Sequence, residues 1–233
     1  LSVKAIDMVG HVSDTVTSNG AIADLDAPTK GIVIDGLTVD RALTNTDTIY
    51  ASWSGFADTL SGINKYQYAV GRSIGASDVV DWTDNGLDTS ITIKPLMEDA
   101  NIYYVSVRAM DHVNNTSSAS SSDGIVSDFS PPSIIDVSIE EWTTLPILSN
   151  AKITFTLSEP ITAATTNVVS YAGDTVTDTL IFDTSVSDYA TQIDLELTSP
   201  FTSGDELAVK INGITDMAGN VTNDLIYLYN IAL

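Results

Sequence analysis

Cysteine is absent from this sequence, histidine occurs only twice, and nine Lys and Arg face 31 Asp and Glu. Without cysteine there are no disulfides, no thiolate nucleophile and no Cys-based zinc or iron–sulfur site. A formal net charge of −22 repels phosphate backbones and anionic lipid, which argues against nucleic-acid and membrane-surface roles. The same carboxylates suit hard cations, which take oxygen ligands, and they also simply keep a protein soluble in salty water. Long apolar runs are missing too, so no membrane insertion is expected within these 233 residues. The sequence opens at Leu1 without a basic-then-apolar leader, and the expectation is a fragment of a longer exported protein. No Gly-x-Ser-x-Gly elbow, phosphate-binding glycine loop or His-Glu-x-x-His pattern occurs, so an enzyme is not expected.

What is present is a hydrophobic share of 43%, ample for packed cores, and an internal repeat. The opening LSVKAIDMVGHVSDTVTSNGAIADLDAP aligns without gaps on VSVRAMDHVNNTSSASSSDGIVSDFSPP, which starts at Val105. Ser2, Val3, Ala5, Asp7, Val9, Gly20, Asp24 and Pro28 meet Ser106, Val107, Ala109, Asp111, Val113, Gly124, Asp128 and Pro132. A weaker third copy, LAVKINGITDMAGNV, begins at Leu207. A period of about 100 residues is too long for a solenoid and matches one immunoglobulin-like sandwich. The division that follows is residues 1–27 as the last strands of one module, 28–131 as a complete module, and 132–233 as another. Asp-Ala-Pro at 26–28 and Ser-Pro-Pro at 130–132 punctuate the joints, because proline ends a strand and stiffens the chain.

Apolar and polar residues alternate at period two in 48–53, 89–93, 103–109, 151–157 and 193–197. That is the pattern of half-buried antiparallel strands with one wet face. Gly, Asn, Asp and Ser cluster between them, and no segment holds a helical period. The fold class expected is all-β, as tandem immunoglobulin-like antiparallel β-sandwiches.

Ala51-Ser-Trp53-Ser-Gly55, Ser61-Gly-Ile63 through Gly71, and Leu96 followed by Tyr103-x-Val-x-Val-x-Ala109-x-Asp111 make the middle module resemble a bacterial fibronectin type III domain. That resemblance implies a core Trp53 and a Tyr103 that anchors the corner before its strand. Residues 1–28 look like the tail of a sister module. The last module is similar to the bacterial Ig-like domains of S-layer and other cell-surface proteins. Phe155-Thr-Leu-Ser-Glu159-Pro160-Ile161, read as a strand running into a Pro-marked turn, carries this with Thr202-Ser-Gly204-Asp-Glu-Leu207 and Gly213-Ile-Thr-Asp216-Met-Ala-Gly219-Asn220. Both families imply modules used as spacers, linkers or weak binding units.

Three Asp residues sit where a strand ends and a hairpin begins, in Asp7-Met-Val-Gly-His, Asp111-His-Val-Asn-Asn and Asp216-Met-Ala-Gly-Asn. One reading is structural: an Asp there accepts backbone N–H bonds and fixes the turn. The other is calcium, with Asp7 and Asp111 meeting the joint acids Asp24, Asp26 and Asp128, and Asp216 as the third turn acid. No Asp-x-Asp-x-Asp-Gly loop is present to favour it. Trp82, Trp142 and Tyr171 are the candidates for carbohydrate contact, against the alternative that each ring merely covers apolar surface. His11 aligns with Asn115, and His112 with Met8, so both histidines read as turn-surface residues. Asn115-Thr-Ser and Asn220-Val-Thr match glycosylation sequons and read as coincidental.

The function expected is an extracellular or cell-surface spacer or stalk whose partners are neighbouring modules of the same chain. The rivals are an adhesive module binding a glycan or a surface protein, and an accessory region of an extracellular hydrolase.

Overall fold

The computed structural model describes residues 1–146, 151–172, 175–182, 189–197 and 206–232, with side chains given except at 146–151, 167–188, 197–205 and 231–233. Strand follows strand, and no helix occurs among the described residues. The chain is all-β.

The first 27 residues form a small antiparallel hairpin, β1 (Ser2–Val3) against β2 (Val16–Thr17), closed by an Ile6↔Val12 bridge. Its apolar side chains, among them Ile6, Val9 and Val16, stand in solvent.

The middle module begins with β3 (Ile32–Ile34), β4 (Leu43–Thr44) and β5 (Ile49–Ser54), followed by β6 (Ile63–Gly71) and β7 (Val80–Gly86). It continues with β8 (Ser90–Ile93), β9 (Ile102–Asp111), β10 (Ser120–Ser121) and β11 (Ile125–Ser127). A three-stranded sheet, β3-β5-β8, packs on a larger one, β4-β11-β9-β6-β7, with β10 also on β9. All pairs are antiparallel except the two-residue β11–β4 contact, which is parallel. The alternation read from sequence decides the burial. Ile49, Ala51 and Trp53 of β5 point inward, opposite Tyr103, Val105, Val107 and Ala109 of β9 in one hydrophobic core. Trp53 is buried and meets Tyr66 edge-on at 5.8 Å. Tyr103 is fully buried and its hydroxyl oxygen accepts from the Glu98 N–H at 2.7 Å, the corner anchor expected of it.

The last module has its own core around Phe155, Ile193, Leu207, Ile211 and Tyr229. Its strands are β12 (Ile134–Val137), β13 (Thr144–Pro146), β14 (Ala151–Ala172), β15 (Thr175–Phe182), β16 (Ala190–Leu197), β17 (Glu206–Asp216), β18 (Val221–Thr222) and β19 (Leu225–Ala232). The Pro-marked turn expected after Phe155 is not a turn. Strand β14 runs through Glu159 and Pro160, and a register shift between Thr156 and Ile161 marks the passage. Before it β14 pairs with β12 and β16; after it, β16 keeps one partner at Ile161 and β17 and β15 take the rest. Pro160 has no N–H for a ladder, so it sits where the strand changes partners. The Thr202–Asp205 part of the expected signature lies outside the described residues.

The repeat read from sequence is a repeat of pairing register. Ser2↔Thr17 and Val3↔Val16 recur as Ser106↔Ser121 and Val107↔Ser120. The bridge Ile6↔Val12 recurs as Met110↔Thr116, and again as Thr215↔Val221.

Candidate cation sites at the module junctions

Each of the three hairpins turns on an aspartate. Asp7 Oδ1 accepts the N–H of Val9 and of His11, both at 2.9 Å. Asp111 Oδ1 accepts those of Val113 at 2.9 Å and Asn115 at 2.8 Å, and Asp216 Oδ1 those of Gly219 at 2.6 Å and Asn220 at 2.8 Å. Residues before the last position take a left-handed backbone: Gly10 has φ 95°, Asn114 72° and Gly219 94°. Glycine and asparagine tolerate that region, so the sequence places them there. The structural reading of these aspartates is therefore met at all three turns.

The side chain four residues after each aspartate closes the unit. His11 Nδ1 lies 2.9 Å from Asp7 Oδ2. In the complete modules the residue is asparagine, and its Nδ2 does two tasks at once. Asn115 Nδ2 donates to Asp111 Oδ2 at 2.8 Å and reaches the linker carbonyls of Asp26 at 3.1 Å and Asp24 at 3.3 Å. Asn220 Nδ2 donates to Asp216 Oδ2 at 2.8 Å, Asp128 O at 2.9 Å and, at the limit of 3.5 Å, Ser130 O. Both sequons are thus the bolts between an incoming linker and the module it enters, a role sequence reading missed.

The linker is pinned a second time a few residues later. Thr29 N–H donates to Ala57 O at 2.7 Å, and Ser158 N–H to Ser133 O at 2.8 Å. The residue following each of these partners is acidic, Asp58 and Glu159. At the first junction Asp24, Asp58 and Asp111 offer carboxylate oxygens within 4.8 Å of one another; at the second, Asp128, Glu159 and Asp216 do the same. Among the described residues no ion pair reaches any of these six carboxylates.

The electrostatics follow from this crowding. Burial, then the neighbouring Asp216, pushes the Asp128 carboxyl above its ordinary value. Burial, then Asp128 and Asp216, does the same to Glu159. For Asp111 burial works upward, but hydrogen bonds from the Asn115 side chain and backbone and from Val113 outweigh it and hold the carboxyl low. Asp24 Oδ2 is buried and receives no hydrogen bond from a described residue.

Of the expected calcium residues, Asp24 and Asp111 come together, as do Asp128 and Asp216. Asp7 and Asp26 join neither group: Asp7 is occupied by its own turn, and Asp26 lends its carbonyl to Asn115 and its N–H to Asp24. Asp58 and Glu159 were not foreseen from sequence. A third acidic group, Asp35, Asp40 and Asp123, lies inside the middle module. There burial pushes Asp35 up to about 6. Of the aromatic candidates, Trp82 is half-buried with the Arg108 guanidinium carbon 4.2 Å from its ring centroid, so one face is covered. Trp142 is 57% exposed. The Tyr171 side chain lies outside the described residues.

With this geometry established, the last module can be placed by comparison: residues 128–228 match the family model of the bacterial Ig-like domain. Among curated proteins, none matches the chain. Solved structures with similarity include the FN1–FN3 domains of chicken CNTN1, at 16% identity and TM-score 0.34, covering 88% of this chain and 67% of that one. The fibronectin(III)-like modules of Clostridium thermocellum CbhA align at 9% identity and TM-score 0.36, covering 87% and 94%. A Streptomyces avermitilis α-L-rhamnosidase, solved with L-rhamnose, aligns at 16% identity and TM-score 0.35, covering 87% of this chain and 24% of that one. Similarity at this level carries no functional weight. No helix of the described residues is long and apolar enough to cross a membrane.

Proposed function

We propose that this segment is a non-catalytic spacer in a secreted or cell-surface protein, built of successive sandwiches with boundaries near Pro28 and Pro132. The observation that supports it most is the doubled bolt, Asn115 at one joint and Asn220 at the next, each tying linker carbonyls to a turn of the following module. A linker fixed at two points, by Asn and by a strand-edge bond, has little freedom to bend, and a chain of such joints transmits length. The Asp216 turn also reaches back to the preceding module: a Cβ on Gly219 would stand 3.3 Å from Asn45 Nδ2. Small-angle scattering from the 233-residue chain tests this reading. An extended particle with one narrow distance distribution is expected, and a broad distribution of bent shapes would count against it.

An adhesive role is the second reading. The exposed Trp142 follows Glu140 and Glu141, which with Tyr227 line an open groove of about 360 Å³ on the last module. Exposed aromatic rings beside hydrogen-bonding groups suit sugar faces. A glycan array with the isolated chain discriminates, since a spacer binds nothing and Trp142→Ala would abolish adhesive binding.

A further inference from the structure

We propose that the first junction, Asp24, Asp58 and Asp111, is a divalent-cation site, for calcium by its all-oxygen donor set, that ties the linker to the module it enters. Three aspartates with oxygens within 4.8 Å of one another are the geometric part of the case. The independent part is Asp24 itself. Its side chain belongs to a residue only 8% exposed, and its Oδ2 is buried with no donor among the described residues. A carboxylate oxygen taken out of water without a donor or a counter-charge is costly, so natural structures pair such groups or give them a metal. No Lys or Arg fills that place, because none of the described ion pairs includes the three aspartates. The other oxygens are already arranged: Asp58 Oδ1 accepts the N–H of Leu60, Ser61 and Gly62 at 3.1, 2.8 and 2.7 Å, and Asp24 Oδ1 that of Asp26 at 3.1 Å. These bonds orient each carboxylate before any ion arrives. Carboxylate-only donors and an irregular outline suit calcium, which takes six to eight oxygens, over zinc, which prefers nitrogen or sulfur in a tetrahedron.

The site joins three parts of the chain: the linker through Asp24, the loop after β5 through Asp58, and the end of β9 through Asp111. An ion there stiffens the joint, so this deepens the spacer reading and rests on it. The second junction repeats the scaffold with Asp128, Glu159 and Asp216, where Asp128 and Glu159 are only half-buried.

Equilibrium dialysis and thermal unfolding of the full chain with calcium chloride test the proposal. Saturable binding with Kd of about 0.1–1 mM is expected, the range of extracellular modules, with a rise in Tm on the order of 5 °C at saturation. Asp24→Asn and Asp58→Asn keep the oxygens that accept backbone bonds and remove charge, so each should fold and weaken the tightest ion at least about tenfold. Asp128→Asn with Glu159→Gln should leave that ion in place. No saturable binding up to about 10 mM calcium, an order above that range, overturns the proposal. So does wild-type affinity in the Asp24→Asn, Asp58→Asn double variant. Scattering that shows a flexible particle while dialysis shows the ion defeats the spacer reading alone, so the two failures are distinguishable.

Discussion

At the first junction Asp24 is 8% exposed and shares its place with two other aspartates. At the second, Asp128 is half-buried and faces Glu159, a side chain one methylene longer. The backbone plan around the two is the same: an aspartate turn, an asparagine bolt, and a strand-edge bond between the linker and the segment that carries the third acid. The contrast separates what the fold needs from what it tolerates. Turn and bolt satisfy backbone donors and acceptors that would otherwise be stranded, so both joints carry them. The third acid is outside that shared plan: Asp58 accepts N–H bonds of its own loop, whereas Glu159 lies within β14, so its identity and depth differ, and with them the local charge.

The largest effect expected is from removing a turn aspartate. Asp216→Ala and Asp111→Ala each strand two backbone N–H groups and an asparagine amide, and each should lower the melting temperature of its module by roughly 10 °C. Unequal losses in calorimetry would show that the two joints are not energetically alike.

The middle module offers a sharper test through the third acidic group. Burial raises the Asp35 carboxyl from 3.8 to about 6, with hydrogen bonds from Ser122 and the Gly124 N–H opposing and Asp40 and Asp123 adding to the rise. The folded state therefore holds a proton that the unfolded chain has released. The stability this contributes is full below pH 3.8 and is lost as pH rises through about 6. Asp35→Asn should stabilise the middle module at pH 7.5 by about 1 kcal/mol, below the full linkage value because solvent around Asp40 and Asp123 screens them. Below pH 4 the gain should vanish. Urea unfolding at pH 4 and 7.5 reads both, and a variant equally stabilising at both would contradict the burial account.

Cutting a bolt should cost less than removing a turn. Asn115→Ala and Asn220→Ala each lose side-chain bonds to linker carbonyls and should destabilise by about 1 kcal/mol. Their more telling readout is a broader particle in scattering, and a chain that stays straight would shift the stiffness to the strand-edge bonds.

The smallest effects belong to the two buried tyrosines, one per core. Tyr229 donates to Ile139 O at 3.2 Å, and burial pushes its hydroxyl up to about 12. Tyr103 accepts from Glu98 N–H instead. Tyr103→Phe and Tyr229→Phe should each cost about 0.5 kcal/mol by urea unfolding, the low end for a net hydrogen bond.

Much of this molecule was determined along the chain itself. Period-two alternation fixed which side of β5 and β9 is buried, because a strand has only two faces. The repeated Asp-x-x-Gly/Asn pattern fixed the three turns, because an aspartate reaches backbone amides two to four residues on without help from distant chain. Only tertiary structure decided the rest. Pro160, a turn signal locally, lies inside β14 because partner strands on both sides of it take up the chain. Asn115 and Asn220 look like sequons until linker carbonyls some 90 residues earlier in the chain are brought beside them. Asp58 fixes its own loop through the N–H groups of Leu60, Ser61 and Gly62, but nothing local marks Asp58 or Glu159 for a junction. They enter the junctions because a linker adds itself to the edge of each new sheet beside them, and that pairing is a long-range event no short stretch of sequence records.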